Sequence, residues 1–334
     1  MKGRYVLLTF ILFSWSCSNL FFEERPADNV AVFDAFFDEI KSHYSFFNVI
    51  SFDGFESEYH FQRDLLANNP SNAQLINSLQ VLVNYLQDGH TDVFELNRIS
   101  YDDWFSLYPQ NELPDISTYF SNYSRVNSVL EWGEIQDENI GYIRIKSFSG
   151  FQSEFGNIDD ILADIGNSEA IIIDVRSNDG GNTENADLII SRFNDASRIQ
   201  HRARRRTAGI TDFSPWVEVR TETFSGPPFT APVFVLTNRR CFSSTEWFVA
   251  GMGTIPHVTI VGDTTGGGSG NPLKKELPNG WFLRTSNTQK ELAATGEDYQ
   301  FIGISPDIAV WISEQDSLAG KDTILEEAIK LAKE

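Results

Sequence analysis

Three short segments of this chain hold the residue types that activate a nucleophile. The stretch Arg239-Arg240-Cys241-Phe242-Ser243-Ser244-Thr245-Glu246 follows the apolar run Val233-Phe234-Val235-Leu236, so small hydroxyl residues stand where a buried strand gives way to a helix. A serine at such a turn exposes its hydroxyl, and the unpaired N–H groups of the helix start point at developing negative charge. That hydroxyl is a poor nucleophile at neutral pH and needs a base within hydrogen-bond reach, itself held in one orientation. Leu86-Gln87-Asp88-Gly89-His90-Thr91 offers the base, and Asp174-Val175-Arg176-Ser177-Asn178-Asp179-Gly180-Gly181 offers a glycine turn after a second apolar strand. Together the three segments point to a serine hydrolase.

Among the five histidines, His43 and His60 fall on helical patterns, His201 opens the basic run His201 to Arg206, and His257 follows Pro256 in a connector. Only His90 sits in a tight turn just past a helix end, although an ordinary turn histidine fits the spacing equally well. Ser243 also has a structural reading as a helix N-cap, because Ser243-x-x-Glu246 is the capping pattern. The two roles are compatible. Asp174 to Gly181 lacks Gly-x-Gly-x-x-Gly and the lysine of a phosphate loop, which argues against nucleotide binding, while the run Gly262 to Gly270 fits a flexible loop near a site as well as a phosphate cradle. Cys241 is expected to be a buried structural thiol rather than a nucleophile.

Several elements must bring these segments together. Val30, Phe33, Phe36, Phe37, Ile40, Tyr44 and Phe47 recur at spacings of three and four, as do Leu75, Ile76, Leu79, Leu82, Val83 and Leu86, whose helix is expected to stop at Gly89. Residues 28–90 therefore read as a small helical domain that delivers His90 at its exit. Residues 91–135, polar and weakly periodic, read as a connector with short irregular elements. Residues 136–334 read as an α/β core, with strands at Gly141–Ile145, Ala170–Val175, Val233–Thr237 and Val258–Val261. Helices are expected between them at Ile158–Ile165, Asn185–Phe193 and Ser244–Met252, and another at Thr323–Lys333.

A length of 334 residues supports one to three domains. The net charge of −21 excludes a general electrostatic grip on nucleic acid, and the run 201–206 is expected to pair with local carboxylates. Residues 1–17 have the layout of an export signal: Lys2 and Arg4, the apolar stretch Val6 to Phe13, then Ser14-Trp15-Ser16-Cys17. Cys17 lies where a bacterial lipoprotein carries its lipid. The expected location is the cell envelope, anchored through Cys17. With Cys17 lipidated, Cys241 is left without a disulfide partner, and two cysteines so far apart argue against a metal site.

Leu86 to Thr91, Gly141 to Phe148, Asp174 to Gly181, Phe242 to Glu246, Gly262 to Gly267 and Gly303-Ile304-Ser305-Pro306-Asp307, taken in order, resemble the tail-specific (C-terminal processing) peptidase family. The likeness is to the branch of the tricorn core and the interphotoreceptor retinoid-binding protein. It implies a crotonase/ClpP-like α/β core, a polypeptide substrate and no cofactor. It also implies that His90 is the base, Ser243 the nucleophile, and that the amides of Ser244 and of Gly180 or Gly181 form an oxyanion hole. Gly266 and Gly267 fall in its substrate-binding loop. The Ser-Lys branch of the family places a lysine where this chain has Gly267, with Lys274 and Lys275 displaced by several residues, so a Ser-His mechanism is expected. About fifty residues between Thr91 and Gly141 are too few for an inserted PDZ domain. Relatives carry a glutamate where this chain has Gln300, with Glu297 and Asp298 nearby, so Gln300 or Glu297 is expected to orient His90. The missing charge raises a rival reading as a catalytically weak or inactive relative that binds apolar ligands or peptides, and a third as an esterase of small substrates.

Overall fold

The computed structural model describes residues 28–94, 98–101 and 108–334; the export signal and Cys17 expected from the sequence lie outside the described residues. Three helices come first: α1 (Asn29–His43), α2 (Phe52–Leu65) and α3 (Asn72–Leu86). Each begins at a side-chain cap, from Asp28, Ser51 and Ser71, and Gln74 returns the Ser71 bond as a capping box. Their apolar stripes meet in one cluster containing Phe33, Phe36, Ile40, Phe55, Leu79 and Leu82, all fully buried. Each such side chain is worth about 2 kcal/mol of burial.

The left-handed residue that ends α3 is Gln87, with φ 50°, rather than Gly89. Gly89 is demanded by packing instead, since a Cβ there would stand 2.9 Å from the Phe242 ring.

Strands β1 (Asp92–Phe94) and β2 (Arg98–Ser100) follow the His90 turn, then β3 (Phe120–Arg125), β4 (Leu130–Ile135) and β5 (Ile140–Ile145). Next come α4 (Gln152–Phe155), α5 (Ile158–Ile165), β6 (Ala170–Asp174) and α6 (Thr183–Ser191). Strands β7 (Ile199–Ala208), β8 (Asp212–Phe213), β9 (Val217–Arg220) and β10 (Val233–Thr237) lead to α7 (Ser244–Met252). The chain closes with β11 (Val258–Gly262), β12 (Pro272–Glu276), β13 (Phe282–Ser286), β14 (Thr288–Leu292), β15 (Ile308–Ala309), α8 (Glu314–Leu318) and α9 (Thr323–Leu331).

A mixed seven-stranded sheet in the order β15-β11-β10-β6-β5-β4-β3 forms the centre, parallel from β15 to β5 and antiparallel beyond. At its centre β6 is apolar up to Asp174 and β10 up to Thr237 because both faces are covered. Ile171, Ile173, Val233 and Val235 face one core cluster, while Ile172, Phe234 and Leu236 face another under α9. β6 and β10 are parallel neighbours, with Leu236 opposite Asp174, so the loops that leave them emerge side by side.

One departure from the sequence reading concerns residues 91–135. β3 and β4 belong to the central sheet, which therefore starts at Phe120 rather than at 136. Five of the six β3 residues are exposed, so this edge strand shows no apolar alternation to betray it. Among the described residues no PDZ-like unit stands between His90 and β5.

A second sheet, β12-β13-β1-β2, carries the strand that leaves His90, and β13 pairs Leu283 with Val93. A third joins β7, β8, β9 and β14. There the basic run is bound locally: Arg202 pairs with Glu291, Arg204 bonds Gln289 and lies over Phe213 and Trp216, and Arg206 donates to the carbonyls of Lys41, Tyr44 and Gly209.

Candidate active site

The β10–α7 turn holds Ser243 at φ 58° and ψ −118°, a conformation that L-residues rarely adopt. Glu246 holds it there. Its carboxyl is fully buried and accepts from the N–H of Ser243 (3.1 Å), Gly267 (2.7 Å) and Gly268 (2.7 Å) and from the Thr265 hydroxyl (2.6 Å). Four donors on two oxygens suit the carboxylate form, although burial pushes its pKa up. The Ser243 hydroxyl is left out of this capping arrangement and instead lies 2.8 Å from His90 Nε2, across 153 residues of sequence.

His90 is positioned from behind. Asp88 Oδ1 accepts from the His90 N–H at 3.0 Å and Oδ2 from the Thr91 hydroxyl, which closes the turn. Phe242 sits with its ring centroid 4.7 Å from that of His90. Burial, then the charges of Lys290, Arg284 and Arg98, lower the His90 pKa to about 3. The imidazole is therefore neutral at physiological pH, the form that can take a proton. Its Nδ1 is buried and has no hydrogen-bond partner among the described residues.

The β6 loop is bolted to the same turn. Asn178 accepts the Phe242 N–H and the Thr245 hydroxyl on its carbonyl, and the Ser244 hydroxyl donates to the Gly181 carbonyl at 2.7 Å. Gly180 has φ +104°, and a Cβ there would lie 2.8 Å from Ser243 Cβ and 3.0 Å from the Ser244 nitrogen. Only glycine lets the two loops approach this closely. The Gly180 N–H is engaged by Asn178 Oδ1, whereas those of Gly181 and Ser244 have no acceptor among the described residues. All three residues, with His90 and Ser243, line one open cleft of about 850 Å³.

The model of peptidase family S41 matches residues 139–310, over half of the chain. The crystal structure of a candidate peptidase from Parabacteroides merdae shares 30% identity over 92% of this chain and 97% of that one, with a TM-score of 0.82. The chain belongs to peptidase family S41. Mature CPAF has the same fold at 12% identity, covering 92% of this chain and 96% of that one with a TM-score of 0.70. So does the photosystem II D1 C-terminal processing protease at 12% identity, covering 85% and 93% with a TM-score of 0.53. This S41 chain is thus a serine-type peptidase with an α/β fold, and polypeptide is the substrate class its family takes.

Within the S41 frame the other expected site residues fall as follows. Gln300 is buried near the site but bonds Asp88 through Nε2 (3.2 Å) and takes the Gly270 N–H on Oε1 (3.1 Å); it does not reach His90. Glu297 is exposed on the turn after β14 and has no bond to His90. The Gly266 and Gly267 amides bind Cys241 O and Glu246, behind Ser243, and neither residue lines the cleft. Cys241 is buried with Sγ 3.0 Å from Val175 O, and burial raises its pKa, which keeps it a thiol. Sequence reasoning missed Arg98, Arg284 and Asn271 on the cleft wall, and Lys290 beneath it. Arg284 meets Asp92 across 192 residues and Lys290 meets Asn271 across 19, and the six-residue spacing of Arg98 from Asp92 is no recognised motif.

Proposed function

We propose that this S41 peptidase cleaves polypeptides internally by a Ser-His dyad. His90 Nε2 takes the proton as Ser243 Oγ bonds to the peptide carbonyl carbon, and the carbonyl π electrons move to oxygen. The free amides of Gly181 and Ser244 receive that oxyanion, each donor worth about 10²-fold in rate. Collapse of the intermediate breaks the C–N bond while the imidazolium returns its proton to the leaving amine. A water, deprotonated by His90, then releases the acyl group from Ser243. The observation that carries this reading is the 2.8 Å contact between His90 Nε2 and Ser243 Oγ.

Gly180 contributes by close approach, with its own amide held by Asn178. Gln300 acts one step back, through Asp88. Because Nδ1 meets no acceptor among the described residues, no carboxylate among them pairs with the transient imidazolium, which favours slow turnover. The same observation supports the second reading, a catalytically weak or inactive relative that binds peptides or apolar ligands. Residues 1–17 support export and a lipid on Cys17, with the protein held at the cell envelope.

Fluorophosphonate labelling tests the dyad. Ser243 is labelled in the intact chain and not in Ser243→Ala or His90→Ala; a folded protein that resists labelling would reject the peptidase mechanism in favour of the binder. Mass spectrometry of unfolded polypeptides after incubation separates peptidase from esterase.

A further inference from the structure

Asn271 lines the catalytic cleft one residue before β12, and all but one of its polar groups are committed elsewhere. Its backbone N–H donates to the Thr288 hydroxyl at 2.7 Å, and its carbonyl accepts the Asn287 N–H at 2.9 Å. Its side-chain Oδ1 accepts from Lys290 Nζ at 2.7 Å. Lys290 belongs to β14 and is buried, with its ammonium 5.3 Å from the centroid of the Trp247 ring on α7. Burial lowers its pKa to about 8, so it is still an ammonium at pH 7. An ammonium only donates, and it therefore fixes which end of the amide faces it. The oxygen turns inward to the buried Lys290, which leaves Nδ2 as the end presented by an exposed cleft residue. That NH2 group has no acceptor among the described residues.

A donor held at three other points is pre-organised, so it binds an acceptor with little ordering cost. The cation on Oδ1 also polarises the amide, which strengthens the N–H groups at its far end. A neutral donor of this kind suits a main-chain carbonyl, the acceptor that an extended polypeptide carries at every residue whatever its sequence. The attacked carbonyl already has the amides of Gly181 and Ser244, on loops of the central sheet, so a donor beside β12 meets a different one. Resting on the peptidase reading and deepening it, we propose that Asn271 is a substrate-binding residue whose Nδ2 holds a main-chain carbonyl other than the one attacked. Lys290 is the positioning residue that turns the amide that way. The cleft thereby grips the backbone of its substrate without a demand on any side chain.

Thioamide peptides test this, because sulfur is a weak hydrogen-bond acceptor. A peptide that the intact chain cleaves is remade with one thioamide at each bond in turn, the cleaved bond excepted. At one fixed position kcat/KM is expected to fall about tenfold, the worth of one hydrogen bond, with little change elsewhere. Asn271→Asp keeps an oxygen against Lys290 and presents a second oxygen to the cleft in place of the donor. It is expected to lower kcat/KM for the unmodified peptide about tenfold, after which the thioamide at that position costs nothing more. Lys290→Met frees the amide to turn and shrinks the penalty at that position alone; a penalty it leaves whole removes Lys290 from the assignment. A uniform profile, or a penalty that Asn271→Asp retains in full, overturns the carbonyl site. Where no peptide is cleaved and Ser243 resists labelling, the series is built on the tightest-binding fluorescein-labelled library peptide, and Kd is read by anisotropy on Ser243→Ala. Weaker binding at one position, abolished by adding Asn271→Asp, keeps the carbonyl site while rejecting the peptidase reading. Equal Kd values, or no binding, reject the site.

Discussion

Gln300 donates its Nε2 hydrogen to Asp88 Oδ1 at 3.2 Å, so the amide braces the carboxylate that closes the His90 turn. Gln300→Glu would place a second carboxyl against Asp88, whose own pKa burial already raises. The substitution is expected to cost about 1–3 kcal/mol at pH 7. Like charges raise the folded-state pKa of the pair, so the penalty is absent below the unfolded carboxylate range, near pH 4, and grows as pH rises through it. Urea unfolding of both proteins at pH 5 and pH 8 checks the sign, and the labelling rate of Ser243 is not improved.

Glu246→Gln converts one of two accepting oxygens into a donor facing the N–H of Gly267, Gly268 or Ser243. About 3 kcal/mol of stability is expected to go. Ser243 also loses the contact that maintains its positive φ, so labelling slows even where the protein remains folded. Denaturant midpoints and labelling rates on the same samples separate the two losses.

Gly180→Ala drives a methyl into Ser243 Cβ and the Phe242 carbonyl at 2.8 Å. The turn must retreat from the Gly181 and Ser244 amides. Labelling by a fluorophosphonate, whose phosphoryl oxygen uses the same donors, is expected to fall about 10²-fold. Circular dichroism should show an unchanged helix and strand content.

Two buried histidines, His90 and His201, have pKa values lowered by burial to about 3. In the unfolded chain each takes up a proton below about pH 6.5. Each therefore leaves stability untouched above that value and subtracts about 2 kcal/mol at pH 5, the loss growing until about pH 3. His201→Phe, which keeps an aromatic edge against Trp247, should gain on the wild type as pH falls from 7 to 5. The same shift at His90 keeps the base neutral, so Ser243 labelling should persist down to pH 5 while the protein grows less stable.

Two of the candidate catalytic segments were legible because each combines an apolar strand with the turn that follows it. Val233–Leu236 before Ser243 and Ala170–Val175 before Gly180 are buried on both faces, and continuous apolarity marks such strands without any periodicity. The tight turn at His90 was visible; its spatial neighbour was not, since a separation of 153 residues leaves no local trace. β3 escaped because Ser121 to Arg125 face water at a sheet edge. Arg98 and Arg284 escaped for another reason: each is an ordinary strand residue until Asp92 is known to lie between them.

The hydroxyl of the proposed dyad rides on the seven-stranded sheet and the imidazole on the four-stranded one that begins with β12. Proton sharing across a seam between separate sheets makes chemistry report on their docking. Loosening that seam with mild denaturant silences the enzyme while the larger sheet is still intact, so inactivation should precede melting.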